Sequence, residues 1–276
     1  MKKYTPKHAK EKNGNLYKVL FVLFILIFVF SSYKYFSIVR RNKKADNVYS
    51  ELRSQVQYLP LSADTAPAAS GTQDETAESN PGATAAKRKR TIDFTVLCER
   101  YPNMRGWIVA EDLEIDYPVM QAEDNDFYMD RLYDATYNPC GAIFLDYRNS
   151  GIFTDDNTVI YGHNIKNGAM FHGLNEYKSQ SYYDAHPTIT VYTPEGDCLI
   201  ELICGTVEDG NYDFVKFRFE DFDQMKSYVS LYKSYSTFQS SVELQPGDKL
   251  VSLCTCTYEL DNARYMLLGR VKELYE

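Results

Sequence analysis

The chain has one tryptophan and four histidines in 276 residues, and its cysteines and histidines do not form two close pairs. A structural zinc site needs such pairs, each spaced by a few residues. Cys254 and Cys256 make one pair, but Cys198 and Cys204 are too far apart to supply the second. Positive charge is equally scarce beyond residue 90. Residues 91–276 carry 14 basic and 31 acidic side chains, a net charge of −17. That sign repels a phosphate backbone and argues against nucleic acid as a partner. No internal repeat divides the chain, and long apolar runs are absent except for one.

That run is LYKVLFVLFILIFVFSSYKYF, Leu16 to Phe36. Its uninterrupted core, Val19 to Phe30, is shorter than the roughly 20 residues a bilayer span requires. It reaches that length if Lys18 and Lys34 extend their ammonium groups to the interface, where Tyr17, Tyr33 and Tyr35 form an aromatic belt. No small-x-small cleavage site follows, which favours an uncleaved anchor over a signal peptide. Lysines at 2, 3, 7, 10, 12 and 18 precede the run, and Lys34, Arg40, Arg41, Lys43 and Lys44 follow it. Basic residues therefore flank both sides and do not set the orientation by themselves.

Four segments result: a basic tail (1–15), a membrane anchor (16–36), a stalk and flexible linker (37–90) and a folded unit (91–276). Residues 45–59 read as a short helix or stalk. Residues 62–90 are rich in Ala, Ser, Thr, Gly and Pro and carry almost no large apolar side chain. Such composition does not offset the entropy of ordering, so it reads as a tether. The remaining length is enough for one substantial core.

The folded unit opens with Phe94, Leu97, Cys98 and Tyr101, whose spacing predicts an amphipathic helix. Eight short runs follow: GWIVA, IDYPVM, GAIFLDY, NTVIYGH, TITVYT, CLIELICGTV, DKLVSLCTC and RYMLLGRVKEL. They are rich in β-branched and aromatic residues and separated by Gly, Pro, Asn and Asp, which predicts a mostly β barrel or sandwich. A second helix is predicted over 220–235 from Phe222, Met225, Val229 and Tyr232, with Asp221 and Gln224 as a capping pair.

Chemistry concentrates at the ends of two predicted strands. His163 follows NTVIYG, whereas His8 lies in the tail and His172 and His186 read as structural. Cys256 ends KLVSLCTC, and Arg264 begins the next strand. A thiolate nucleophile, an imidazole proton carrier and a guanidinium facing an oxyanion make an acyl-transfer set. Two other readings of the Cys-x-Cys pair stay open: half of a metal site, and half of a disulfide with Cys198 or Cys204 from a neighbouring strand. A bond between Cys254 and Cys256 is strained within one strand. Cys254 is most simply a small buried hydrophobe.

These residues resemble the sortase family, and class B sortases in particular. The family's Thr-Leu-x-Thr-Cys signature stands here as Ser252-Leu253-Cys254-Thr255-Cys256, with Arg264 on the next strand. Its histidine context stands as Tyr161-Gly162-His163-Asn164, and residues 103–149 are also similar to class B members. The resemblance implies an eight-stranded sortase-type β-barrel with an N-terminal helix and an extra helix before the cysteine strand. It also implies Cys256 as nucleophile, His163 as acid/base, Arg264 as oxyanion or substrate-positioning group, and no cofactor. Ser252 departs from the usual threonine but keeps the hydroxyl. Some class B members carry an acid two positions after the cysteine; here Tyr258 holds that place and Glu259 is the acid, so no catalytic carboxylate is assigned.

The family reaction implies cleavage of a Pro-x-Thr-type sorting signal near the C-terminus of secreted proteins. The acyl group passes through a cysteine thioester to an amine of a peptidoglycan precursor or cross-bridge, or to a pilin lysine. It further implies a single-pass protein with a cytoplasmic N-terminus and an extracellular catalytic domain. The competing expectations are a hydrolytic cysteine protease and a non-catalytic surface binding module stapled by disulfides.

Overall fold

The computed structural model describes residues 14–59, 89–257, 259 and 261–273. The tail before Gly14 and the tether up to Arg88 lie outside these. Helix α1, Gly14–Ser54, is long and apolar enough to cross a membrane over its first part, where the large apolar side chains from Leu16 to Phe36 are exposed.

A second compact unit begins at Asn47, upstream of the Thr91 start expected from composition. The reason is aromatic packing. Tyr49 and Leu52, one turn apart on α1, are both buried. The Tyr49 hydroxyl donates to the Gly141 carbonyl at 3.2 Å, and its ring lies edge-on to Tyr117. Gln57–Leu59 then pairs antiparallel with Lys89–Thr91.

The core of this unit is a closed barrel of eight strands: β1 (Met104–Ala110), β2 (Ile115–Met120), β3 (Ile143–Leu145), β4 (Asn157–Tyr161), β5 (Thr188–Thr193), β6 (Gly196–Asp209), β7 (Leu250–Cys256) and β8 (Ala263–Glu273). They are ordered β8-β6-β5-β1-β2-β3-β4-β7 around the barrel. Each of the eight runs identified in the sequence contributes one strand. Two neighbouring pairs are parallel, β2 with β3 and β4 with β7; the other pairs are antiparallel. Closure pairs every strand on both sides, leaving no open edge.

The predicted opening helix is α2, Phe94–Arg100, capped by Asp93, whose carboxylate accepts from the Val96 amide. Two short helices follow β4: a 3-10 helix over His172–Lys178 and α3, Gln180–Ala185. The predicted helix before the cysteine strand is α4, Phe222–Lys233. Asp221 caps it by accepting from the Gln224 amide at 2.8 Å, while the Gln224 side chain reaches back to the Glu220 amide rather than to its partner in a capping box. Met225, Val229 and Tyr232 pack with Ile203, Cys204, Cys254, Met266 and Leu268 on the outside of β6, β7 and β8. Both faces of the cysteine strand are therefore covered, and β7 is buried up to Thr255.

Candidate active site

Strand register brings Cys256 and Arg264 together, and the exit of β4 brings His163 to the same cavity. Cys256 and Arg264 are direct cross-strand partners on antiparallel β7 and β8. Side chains so placed leave the same face, with Cβ atoms about 5 Å apart. On the other side of β7, the parallel register pairs Tyr161 with Cys254. β4 ends there, and His163 lies two residues beyond it. All three residues line one cavity of about 200 Å³, which Asn125, Asp126, Met129, Phe144 and Tyr161 help to enclose.

Glycines make room for the histidine and the arginine. A Cβ on Gly162 would lie 2.6 Å from Cγ of Phe171, and one on Gly141, whose φ is +63°, would lie 2.7 Å from Cδ2 of His163. A Cβ on Gly210 would press on Cγ and Cζ of Arg264 at 3.2 Å. The Arg264 guanidinium donates to the Asn262 and Ala263 carbonyls at 3.1 and 3.2 Å. No carboxylate pairs with it among the described residues, so much of its donor capacity faces the cavity rather than a salt bridge.

The His163 ring bonds the Met129 carbonyl through Nε2 at 2.7 Å. A carbonyl only accepts, so Nε2 carries the proton and Nδ1 is the nitrogen left to take up or release one.

The two thiols of the Cys-x-Cys pair differ sharply. Cys254 is buried against α4, and burial, reinforced by nearby Asp146, pushes its thiol far above the usual range. It stays a neutral SH. Cys256 is half-buried at the rim. Cys254 and Cys256 are both free thiols, so neither is joined to Cys198 or Cys204.

Ser252 keeps the role of a buried hydroxyl. It exchanges hydrogen bonds with the Asn157 side chain at 3.0 and 3.1 Å, tying β7 to β4 below the site. The other histidines follow their structural reading in part. His186 pairs with Asp112 at 2.9 Å. His172 does more than fill space: its Nδ1 lies 2.6 Å from Oδ1 of Asn164, whose Nδ2 donates to the Cys256 carbonyl at 2.8 Å. The acid after the cysteine, Glu259, is bound by Lys178 and by the Thr257 hydroxyl. Burial raises its carboxyl, but these two partners more than reverse the effect and bring it to about 2. It is committed to the loop rather than to proton transfer.

The sequence reading also missed a buried acid that holds two of the cavity's lining residues, Tyr161 and Asn125. Asp146 lies at the end of β3 with no exposed surface. Its Oδ2 accepts from Tyr161 (3.0 Å), Asn125 (3.1 Å) and Arg148 (2.9 Å), and its Oδ1 from the Arg148 amide and Nε. Burial raises the carboxyl, yet the bonds from Arg148 and Asn125 hold it below its ordinary value. Because the folded value is the lower one, its stabilising effect is complete above about pH 4 and fades as pH falls through the folded value. Asp146→Asn should therefore lower stability by about 2–3 kcal/mol at neutral pH and flatten the loss of melting temperature below about pH 4. Parallel melting curves for both proteins across that range would remove Asp146 as a cause of acid sensitivity.

A model of the Sortase domain matches residues 108–271. With the barrel and the thiol rim, that match places the chain in the sortase family. Its relatives are class B enzymes, so the protein is a cysteine transpeptidase of that class. Sortase B of Listeria monocytogenes is 33% identical over 171 residues, 61% of this chain and 70% of that protein. Sortase B of Staphylococcus aureus is 25% identical over 168 residues, 60% of this chain and 69% of that protein. Among solved structures, Clostridium perfringens sortase B superposes with a TM-score of 0.61 at 28% identity, covering 65% of this chain and 99% of the other. A Staphylococcus aureus sortase B–substrate complex gives 0.62 at 23% identity, covering 66% and 85%.

Proposed function

We propose that this transpeptidase cleaves a Pro-x-Thr-type sorting signal through a thioester on Cys256, with His163 as acid/base and Arg264 as oxyanion-facing group. The Cys256 sulfur attacks the threonine carbonyl carbon, and the carbonyl oxygen takes up negative charge opposite the Arg264 guanidinium. As the scissile C–N bond breaks, His163 gives a proton to the departing amine. An incoming amine then attacks the thioester, loses a proton to His163 and releases the thiolate with a new amide bond.

The observation that carries this reading is the shared cavity: Arg264 is directly opposite Cys256 in the strand register, and His163 lines the same cavity just beyond the end of β4. The burial of Cys254 leaves Cys256 as the accessible sulfur of the pair. Further support comes from related proteins whose structures are described as a sortase B–substrate complex and as sortase B complexed with triglycine. The exposed apolar part of α1 serves as a membrane anchor with the N-terminus cytoplasmic and the catalytic unit outside. The 62–90 segment acts as the tether that gives it reach.

Incubating residues 47–276 with a library of Pro-x-Thr peptides and amines tests this directly. A mass shift of the enzyme by the acyl fragment, cleared by an oligoglycine or a diamino-acid peptide with ligated product, is the expected result. Hydrolysis with every amine offered would turn the reading toward a protease. Transfer only to a pilin-type lysine would identify a polymerising enzyme.

A further inference from the structure

We propose that His172 and Asn164 are positioning residues that hold the Cys256 peptide unit in register with His163, a role that rests on Cys256 being the nucleophile.

The parallel ladder between β4 and β7 explains the need. Its last backbone rung is the Gly162 amide to the Cys254 carbonyl at 3.1 Å. In a parallel pair the next rung would run from the amide two residues on, at Asn164, to the Cys256 carbonyl. The chain has left the strand by then, and Asn164 instead forms a bridge to Met170. Its side chain supplies the missing rung, with Nδ2 donating to the Cys256 carbonyl at 2.8 Å. The sequence thus replaces a fixed backbone donor by a rotatable one.

A side-chain amide that flips would turn its oxygen toward that carbonyl and break the rung. His172 prevents this. Its Nδ1 sits 2.6 Å from Oδ1 of Asn164. Because the Cys256 carbonyl requires Nδ2 to face it, Oδ1 is the acceptor and His172 must carry a proton on Nδ1. His172 is itself held at the start of the 3-10 helix. Asn175 donates to its carbonyl at 3.1 Å, and the same Asn175 accepts from Lys178 at 2.7 Å. Lys178 also donates to Thr257 at 2.6 Å. One helix therefore grips the chain on both sides of the Cys256–Thr257 peptide bond. That plane restricts the direction of the Cys256 Cα–Cβ bond at the cavity that His163 also lines. Small misplacements of a reacting atom are costly to rate even when binding is unchanged.

The test compares His172→Leu, His172→Asn, Asn164→Ala and the double variant H172L/N164A in the 47–276 protein. Read out are kcat and KM for peptide cleavage, the alkylation rate of Cys256 by iodoacetamide resolved by peptide mass, and the melting temperature. His172→Leu should lower kcat and the alkylation rate about tenfold, the scale of one lost hydrogen bond, with KM unchanged. Asparagine places an amide NH where Nδ1 stood, so His172→Asn should restore both rates to within about threefold of wild type. Adding His172→Leu to Asn164→Ala should have no further effect, since His172 acts through Asn164. Wild-type rates in His172→Leu, or full additivity in the double variant, would overturn the proposal. If the wild type forms no thioester, it is the nucleophile assignment that has failed. The alkylation rates then still decide whether His172 sets the position of the sulfur.

Discussion

Cys256→Ala should abolish the acyl-enzyme, and Cys254→Ala should leave it intact. This contrast is the largest effect expected of any single change, because the two sulfurs lie two residues apart on one strand and Cys254 is buried whereas Cys256 is half-buried. Cys254 sits against α4 among Val229, Tyr232 and Met266 with 1% of its surface exposed. A thiolate there would have to give up its hydration, a loss that the charge of Arg264 offsets only in part, which is why its thiol is pushed so far up. Removing its sulfur costs about 1 kcal/mol of stability, the scale of one buried methylene-sized group. Cys256 borders the cavity, so the alanine variant should fold as before and lack the sulfur that the proposed thioester requires. Intact-mass measurement after mixing with a Pro-x-Thr peptide checks both. A thioester in Cys256→Ala, or its loss in Cys254→Ala with the melting temperature preserved, would reverse the assignment.

Arg264→Ala comes next in size. Among the described residues, its guanidinium is anchored only to the carbonyls of Asn262 and Ala263, on its own chain segment. Truncation therefore leaves no buried charge unpaired, and the melting temperature should move little. On the proposed mechanism, what is lost is a preorganised donor for the developing oxyanion, about 10²–10³ in kcat for groups in that role. Arg264→Lys should recover only part of the rate, since an ammonium cannot present two parallel donors from a planar fork. Steady-state kinetics on the two variants separates the effects. Near-normal kcat in Arg264→Ala would leave the arginine with no role in the acyl-transfer step.

The class of enzyme was legible before any coordinates because its chemistry sits in short continuous motifs. Tyr161-Gly162-His163-Asn164 and Ser252 to Cys256 can each be read as a strand with a reactive residue at its exit, and Arg264 as the start of the next. The eight strands were legible for a related reason: β-branched and aromatic runs bounded by turn residues mark strands locally. The 3-10 helix was missed, although Phe171, Leu174 and Tyr177 recur every three residues and are all buried, the period such a helix requires. Asp146 and His172 could not have been ranked from the sequence, since nothing near them in the chain shows that one faces Tyr161 and the other Asn164.

Local sequence thus determined which segments become strands, where α4 starts and which side chains are able to exchange protons or attack a carbonyl. These are properties of short windows, set by propensity, periodicity and side-chain chemistry. Only the closed barrel decided that β4 and β7 run parallel and that Cys256 and Arg264 face each other. It also decided that Cys254 is sealed beneath α4 while its neighbour two residues on is not. Strand register and burial at the site join segments far apart in the chain, β4 and β7 above all, and no short window of sequence contains both partners.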